Sequence, residues 1–227
     1  MMLNQAAMSK VSNHRVACVT GGAKRIGRAL VLALHQANYN IIIHYHTSES
    51  EAIELVDYCN AIRPQSAKSV QGDLEDFETL PQLTWRIINS FGRLDCLVHN
   101  ASRFYPTPFG QISQQDWQNL FLTNAQTPLF ISQYLYPYLK KSQGCIISIL
   151  DIHANGKPFG GYTVYNMAKA AHQMMVQSLA IELAPDIRVN GIAPGINILP
   201  MEGTEQALTA ETIEKICHAV PLKRIGT

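Results

Sequence analysis

The chain has 227 residues, with 18 basic and 17 acidic side chains and a formal net charge of +1. That length suits one large α/β domain or two small ones, and a hydrophobic content of 47% is enough for a real core. Charged residues make up only 15% and leave no basic footprint, so we expect no nucleic-acid partner. No apolar run approaches the ~18 residues that span a bilayer. The first residues also lack the apolar segment of a signal peptide, so we expect a cytoplasmic protein with no membrane partner.

Apolar runs alternate with helical patterns along the chain. The strand-like runs are almost continuously apolar, which is typical of parallel strands buried on both faces. They are RVACVT, NIIIHYH, AKSVQG, LDCLVH, CIISIL and IRVNGIA. The helical segments between them are GRALVLALHQA, SEAIELVDYCNAI, FETLPQLTWRIINSF, the span from Ser113 to Leu139, and YNMAKAAHQMMVQSLAIELA. This alternation predicts an α/β fold: one doubly wound domain over 1–227, with helices on both faces of a parallel sheet.

The two ends of the chain differ from this pattern. We expect residues 1–13 to be flexible and residues 196–218 to form a substrate loop and a lid helix.

The stretch TGGAKRIG, from Thr20 to Gly27, lies between the first strand and the first helix. Backbone N–H groups at a helix start suit a pyrophosphate, so we expect a cofactor to contact Gly21, Arg25, Ile26 and Gly27. Arg25 stands where a third glycine might be expected and adds a fixed charge near the phosphates or a bound ring. The alternative is an ordinary strand-to-helix turn.

The end of the second strand indicates which dinucleotide the turn prefers. Sites selective for NAD place an acid there, whereas this strand ends IIIHYHTSES and its first acid is Glu49. His44, His46, Thr47 and Ser48 offer imidazoles and hydroxyls that would tolerate a 2′-phosphate. We therefore predict NADPH as the cofactor. The alternative for the two histidines is that they are ordinary residues at the edge of the sheet.

Two further loops follow predicted strands. Asp73 and Leu74 follow the third strand, where a carboxylate would meet the adenine amine. Asn100, Ala101 and Ser102 follow the fourth, where small residues allow close approach of the cofactor. Either loop, taken alone, is equally consistent with a plain connection.

The stretch YTVYNMAKAA puts Tyr165 and Lys169 four residues apart, on one face of a helix. A neighbouring ammonium lowers the pKa of a phenol towards the working pH, so that the tyrosine can exchange a proton while a hydride moves. Tyr162 has no lysine at that spacing, which leaves Tyr165 as the catalytic candidate. An exposed helical pair is the alternative for this motif alone.

Taken in order, TGGAKRIG, GDL, HNAS, TNA, YNMAK and RVNGIAPG resemble the short-chain dehydrogenase/reductase family over nearly the whole chain. The resemblance implies a Rossmann-type fold. It also implies that Lys169 binds the nicotinamide ribose and that Asn124 helps to hold a proton-relay water. Pro194, Gly195 and Ile196 would pass near the nicotinamide amide.

Departures from the family pattern resemble its pteridine reductases. These read TGxxxRxG at the turn, as here with Arg25, and carry an aspartate in place of the family's catalytic serine, as here with Asp151. A carboxylate suits a substrate that presents N–H donors, as a pterin does, better than it suits a ketone. The segment HNASRFYPTPF resembles the same group, which implies that Phe104 stacks on the pterin and that Arg25 contacts both ligands. Asp151 and Tyr165 would complete the substrate contacts.

Two features differ from that group. Thr47 stands where pteridine reductases often have arginine, which weakens the expected contact with the 2′-phosphate. The sequence ends at PLKRIGT, where family members continue through a helix and a last strand, so we expect that strand to be missing. The resemblance implies a homotetramer, or a dimer without that segment.

Together the sequence predicts an NADPH-dependent reductase of dihydropteridines such as dihydrobiopterin, dihydromonapterin or dihydrofolate, with no metal. Its catalytic residues would be Asn124, Asp151, Tyr165 and Lys169. One alternative is a general carbonyl or 3-oxoacyl reductase of the same family. Another is an NADPH-binding sensor without turnover.

Overall fold

A computed structural model describes residues 11–154, 156–196 and 209–226. Most of the segment predicted to be flexible, 1–10, lies outside the described residues, as does 197–208 of the predicted substrate loop. Within the described ranges no helix is both long and apolar enough to cross a membrane.

Six parallel strands form one sheet in the order β3-β2-β1-β4-β5-β6, as the apolar runs predict. Every residue of β1, β2 and β4 is buried, because both faces of these central strands are covered. The strands are β1 Val16–Val19, β2 Asn40–Tyr45, β3 Ala67–Gln71, β4 Cys96–His99, β5 Cys145–Ile149 and β6 Arg188–Ile192.

Helices cover both faces of the sheet, which confirms the doubly wound α/β prediction. Successive side chains of a strand point to opposite faces, so Ile42 packs in one core and Ile41 and Ile43 in the other. Side chains from α1 and α2 complete one core, and those from α3, α5 and α6 complete the other. The helices are α1 Arg25–Gln36, α2 Glu49–Ile62, α3 Leu80–Phe91, α4 Gln114–Phe121, α5 Thr127–Ser142, α6 Thr163–Glu182 and α7 Ala210–Ala219.

The span predicted as one helix from Ser113 to Leu139 is interrupted. The side chain of Ser113 caps α4, and a π-helical turn, Leu122–Gln126, separates α4 from α5. Pro128 supplies a physical reason, because it has no N–H to donate to the carbonyl of Asn124, its partner in a continuous α-helix. The interruption places the buried side chain of Asn124 at the site described below.

After β6 the described part of the chain contains one helix, α7, and no strand. The side chain of Thr209 caps that helix by accepting a hydrogen bond from the backbone N–H of Thr212.

Candidate active site

Loops that follow β1, β4 and β5 meet at the carboxyl edge of the sheet, where ligands bind in open α/β folds. Thr20 Oγ1 accepts hydrogen bonds from the backbone N–H groups of Asn100 and Ala101, at 3.0 and 3.1 Å. Asn100 Nδ2 donates to the backbone oxygens of Thr20 and Gly21, both at 2.9 Å. These bonds hold the glycine-rich turn against the loop that follows β4.

Glycine is required where the turn enters α1. A Cβ atom at Gly27 would overlap the backbone oxygen of Gly21 and would lie 2.8 Å from Asn100 Nδ2. Gly21 itself has φ +59°, in the left-handed region that favours glycine. The close approach of backbone to backbone at a helix start fits a phosphate cradle.

Arg25 is the first residue of α1 and has φ +49°, so its backbone also adopts the conformation that favours glycine. Its side chain is exposed beside the turn, and Ile26 behind it is half-buried. The cation thus lies at the positive end of α1, where it adds to the anion-binding potential.

The structure revises the role predicted for His44. This residue is 1% exposed, and its Nδ1 atom accepts a hydrogen bond from the Gly21 backbone N–H at 3.2 Å. Its Nε2 atom lies 3.1 Å from the backbone oxygen of Gly72. Burial lowers the pKa of His44 to about 4, so the ring is neutral and donates to Gly72. With both nitrogens occupied, His44 supports the turn and does not reach out to a 2′-phosphate.

His46, Thr47 and Ser48 continue from the same strand, and the first two are exposed. His46 Nε2 lies 3.6 Å from Oδ2 of Asp73, whose Oδ1 atom accepts the backbone N–H of Glu75. His46 and Asp73, both predicted to contact the cofactor, therefore lie side by side with their polar groups exposed. Leu74, also predicted to contact the cofactor, is buried instead.

Tyr165 and Asp151 form the centre of the candidate site. The Tyr165 hydroxyl donates to Oδ2 of Asp151 at 2.7 Å, and the backbone N–H of His153 donates to Oδ1 at 2.8 Å. Lys169 is 3% exposed, and its Nζ atom donates to the backbone oxygen of Ile149 at 3.0 Å. Three of the four predicted catalytic side chains are thus brought together, although Asp151 follows β5 and the other two lie on α6.

The predicted direction of the phenol pKa was wrong. Burial, and then the hydrogen bond to Asp151, raise the pKa of Tyr165 above its ordinary value. Lys169 Nζ lies 5.9 Å from the centre of the Tyr165 ring and does not reverse this. Burial lowers the pKa of Lys169 itself to about 8. Tyr165 therefore holds its proton and is arranged as a donor.

Asn124 is fully buried and holds the loop that follows β4. The Ser102 hydroxyl donates to Asn124 Oδ1 at 2.7 Å, and Asn124 Nδ2 donates to the backbone oxygens of Arg103 and Leu120. The side chain of Asn124 is thereby committed to the protein, and its backbone carbonyl is the group left for another role.

Phe104 belongs to an aromatic cluster beside Tyr165. Its ring is 52% exposed and stacks on Tyr162, with centroids 4.6 Å apart and an angle of 10° between the planes. The edge contact with Tyr165 is 4.8 Å between centroids. Phe159 also packs on Tyr162, at 4.6 Å. Sequence reasoning treated Tyr162 only as a rejected catalytic residue and missed Phe159, because no motif spacing marks an aromatic wall.

Pro194, Gly195 and Ile196 follow β6, with Gly195 and Ile196 exposed. The backbone N–H of Gly226 donates to the oxygen of Ile196 at 2.8 Å. No group of three His, Cys, Asp or Glu side chains within the described ranges is arranged to hold a metal ion.

Comparisons with known proteins agree with this geometry. The family model described as short chain dehydrogenase matches residues 15–207. The chain is 36% identical to pteridine reductase 1 of Leishmania tarentolae, over 82% of this chain and 77% of that protein. It is 30% identical to a 3-oxoacyl-[acyl-carrier-protein] reductase of Staphylococcus aureus, over 92% and 84%. A hydroxynaphthalene reductase-like protein of Metarhizium anisopliae is 29% identical, over 80% and 67%.

Proposed function

The chain belongs to the short-chain dehydrogenase family and is a nicotinamide-dependent reductase, and from this premise we propose that it reduces dihydropteridines with NADPH. The observation that carries the proposal is the hydrogen bond from Tyr165 to Asp151. Ser148, the nearest serine before Asp151 in the sequence, is fully buried in β5, and its Oγ atom lies 3.0 Å from His172 Nε2. The carboxylate is therefore the group beside the tyrosine that a substrate would meet.

The residues present fit a dinucleotide. The cradle between Gly21 and Gly27 leaves no room for a Cβ, and Arg25 stands beside it. The loops with Asp73 and with Ala101 border the same edge of the sheet. These residues would hold NADPH, with Lys169 on the nicotinamide ribose and Pro194 to Ile196 near its amide. When bound, NADPH would supply a hydride to a C=N carbon of the substrate.

His46, Thr47 and Ser48 support the choice of NADPH over NADH. None of the three carries a carboxylate of its own, and the exposed His46 offers a ring N–H donor. His44 contributes indirectly, by holding Gly21 in place.

Proton delivery follows from the pair at the centre of the site. Because the pKa of Tyr165 is raised, the phenol is protonated at neutral pH and can donate to a ring nitrogen of the pterin. Asp151 accepts N–H groups of the substrate, which a hydroxyl in its place would do more weakly. Lys169 places a buried charge behind the pair and raises the acidity of Tyr165 as the proton leaves.

Phe104 and Arg25 would bind the substrate ring. Phe104 is half-exposed and already stacks face to face with Tyr162, the geometry in which it would stack on a flat pterin. The substrate class supported in this way is a dihydropterin such as dihydrobiopterin or dihydromonapterin, with dihydrofolate included.

A second candidate, 3-oxoacyl reduction, is favoured by the similarity to the Staphylococcus aureus reductase. NADPH oxidation is measured in parallel with dihydrobiopterin, dihydromonapterin, dihydrofolate and a 3-oxoacyl thioester. We expect turnover with a dihydropterin and none with the thioester. Turnover with the thioester alone would replace our proposal with the second candidate. NADPH binding without turnover of any substrate would point to a sensor.

Assembly and location belong to the same proposal. We expect a homotetramer in the cytoplasm, with a dimer as the alternative, because the family resemblance implies such assemblies. Sedimentation of the purified protein would distinguish the two from a monomer.

A further inference from the structure

A second buried polar group lies one helical turn beyond the catalytic lysine. His172 on α6 is 2% exposed, and its Nε2 atom lies 3.0 Å from Ser148 Oγ on β5. Its Nδ1 atom is buried and has no hydrogen-bond partner among the residues that the structure describes. An unpaired buried nitrogen is costly, so this atom requires a physical explanation.

The backbone carbonyl of Asn124 is an available acceptor for this nitrogen, because the π-helical turn that carries it packs against α6. Burial lowers the pKa of His172 to about 2, nearby His99 and Lys169 lower it further, and the backbone of Asn124 acts in the opposite direction. The ring is therefore neutral. Because Nε2 is paired with Ser148, Nδ1 is the nitrogen left for the carbonyl of Asn124.

The sequence gives the carbonyl of Asn124 no backbone N–H at the position that would bind it in a regular α-helix. In a regular α-helix the oxygen of Asn124 would accept the N–H of residue 128, and residue 128 is proline. The π-helical turn, Leu122–Gln126, lies against α6 at this point. A donor from α6 is therefore well placed to interact with the Asn124 carbonyl.

The tautomer follows from these contacts. A neutral imidazole has one N–H donor and one acceptor nitrogen, so the nitrogen that faces a carbonyl must carry the hydrogen. His172 is then protonated on Nδ1 and accepts the Ser148 hydroxyl on Nε2.

His99 has the opposite tautomer. The Ser132 hydroxyl donates to the oxygen of Pro128 at 2.7 Å, so it cannot also donate to His99. The Nε2 atom of His99, 2.8 Å from Ser132 Oγ, must therefore be the donor. The two rings lie 6.0 Å apart with different nitrogens protonated.

We propose that His172 is a positioning residue for the reductase, whose Nδ1–H holds the Asn124 carbonyl and thereby fixes the loop that carries Phe104. The link runs through Asn124, whose side chain holds Ser102 and Arg103. His172 itself touches neither cofactor nor substrate. Its removal should loosen Asn124 relative to Lys169 and Phe104 without emptying the cofactor site.

The first test needs no substrate. Long-range proton–nitrogen correlation spectra of the full chain report which ring nitrogen of each histidine is protonated, and the His172 signals are assigned from their loss in His172→Asn. We expect an Nδ1–H tautomer for His172 and an Nε2–H tautomer for His99. An Nε2–H tautomer at His172 would overturn the proposal, whatever the enzyme reduces.

The second test rests on the proposed function and uses NADPH with dihydrobiopterin. His172→Leu should lower kcat about tenfold, which corresponds to one lost hydrogen bond, and should leave the KM for NADPH unchanged. His172→Asn places an amide nitrogen near the Nδ1 position and should recover most of kcat. His172→Gln reaches the Nε2 position and should recover less.

Ser132→Ala is the matched control, because it removes the partner of the other buried histidine without touching Asn124. It should lower the melting temperature and keep kcat. A loss of kcat in Ser132→Ala equal to that in the His172 variants, or equal kcat in the Asn and Gln variants, would reduce His172 to an ordinary core residue. No turnover by the wild type would instead count against the proposed function and leave the spectroscopic test decisive.

Discussion

The hydroxyl of Tyr165 on α6 donates a 2.7 Å hydrogen bond to Oδ2 of Asp151, which follows β5. Burial and this bond together keep the phenol protonated, because both raise its pKa. A reductase needs a proton donor at this position when hydride arrives. The pair therefore combines a held proton with an acceptor for the N–H groups of a substrate.

Replacing Asp151 with serine should exchange one substrate class for another. Asp151→Ser removes the acceptor for pterin N–H groups and should lower kcat/KM for dihydrobiopterin about a hundredfold, while reduction of a 3-oxoacyl thioester rises. Steady-state assays with both substrates measure the change. Asp186→Asn is the control, since Asp186 pairs with Lys140 on the surface. Unchanged dihydrobiopterin turnover in Asp151→Ser would contradict the role given to the carboxylate.

Removing the Phe104 ring should weaken substrate binding and spare the cofactor. Phe104→Ala should raise the KM for dihydrobiopterin about tenfold, the worth of one aromatic stack, with an unchanged KM for NADPH. Phe109→Ala is the matched control, because Phe109 lies in the same loop region and is 91% exposed. Equal effects of the two substitutions on KM would mean that Phe104 has no stacking role.

An arginine at position 47 should strengthen the preference for NADPH. Thr47 is exposed at the end of β2, so a longer cationic side chain there meets no packed neighbour. A charge-assisted hydrogen bond to the 2′-phosphate should lower the KM for NADPH about tenfold. The KM for NADH should stay as it was, and Thr47→Met serves as the uncharged control of similar length. A parallel fall in both KM values would show that the 2′-phosphate binds elsewhere.

Removing the buried charge of Lys169 should stabilise the protein while it abolishes activity. The pKa of Lys169 is lowered by burial from 10.5 to about 8, so below pH 8 the folded chain holds an unfavourably buried ammonium. Between 8 and 10.5 the unfolded chain binds more protons than the folded one, and wild-type stability should rise with pH there.

Lys169→Met should therefore unfold at higher urea than the wild type at neutral pH. Its advantage should shrink as the pH rises through that window. Lys140→Met is the control, because Lys140 is exposed in an ion pair with Asp186. A Lys169→Met variant less stable than wild type at neutral pH would show that the ammonium is held favourably.

The sequence predicted which residues share one helix, but it did not predict which residues from different parts of the fold are in contact. The four-residue interval between Tyr165 and Lys169 correctly placed both on α6. The raised pKa of Tyr165 was not predictable, because Asp151 reaches it from another element. His44 and His46 looked equivalent in the sequence, yet His44 lies inside β2 and is buried, whereas His46 follows the end of that strand and is exposed.

Three features were determined by the sequence itself: the six apolar runs, the glycine-rich turn and the tyrosine–lysine spacing. All three depend on local geometry and on which faces must be buried. The tertiary structure alone decided which polar groups meet. It paired Asp151 with Tyr165, turned His44 inward and packed the turn that carries Asn124 against α6. The reason is physical, because desolvation and hydrogen bonding act through space, between residues that lie far apart along the chain.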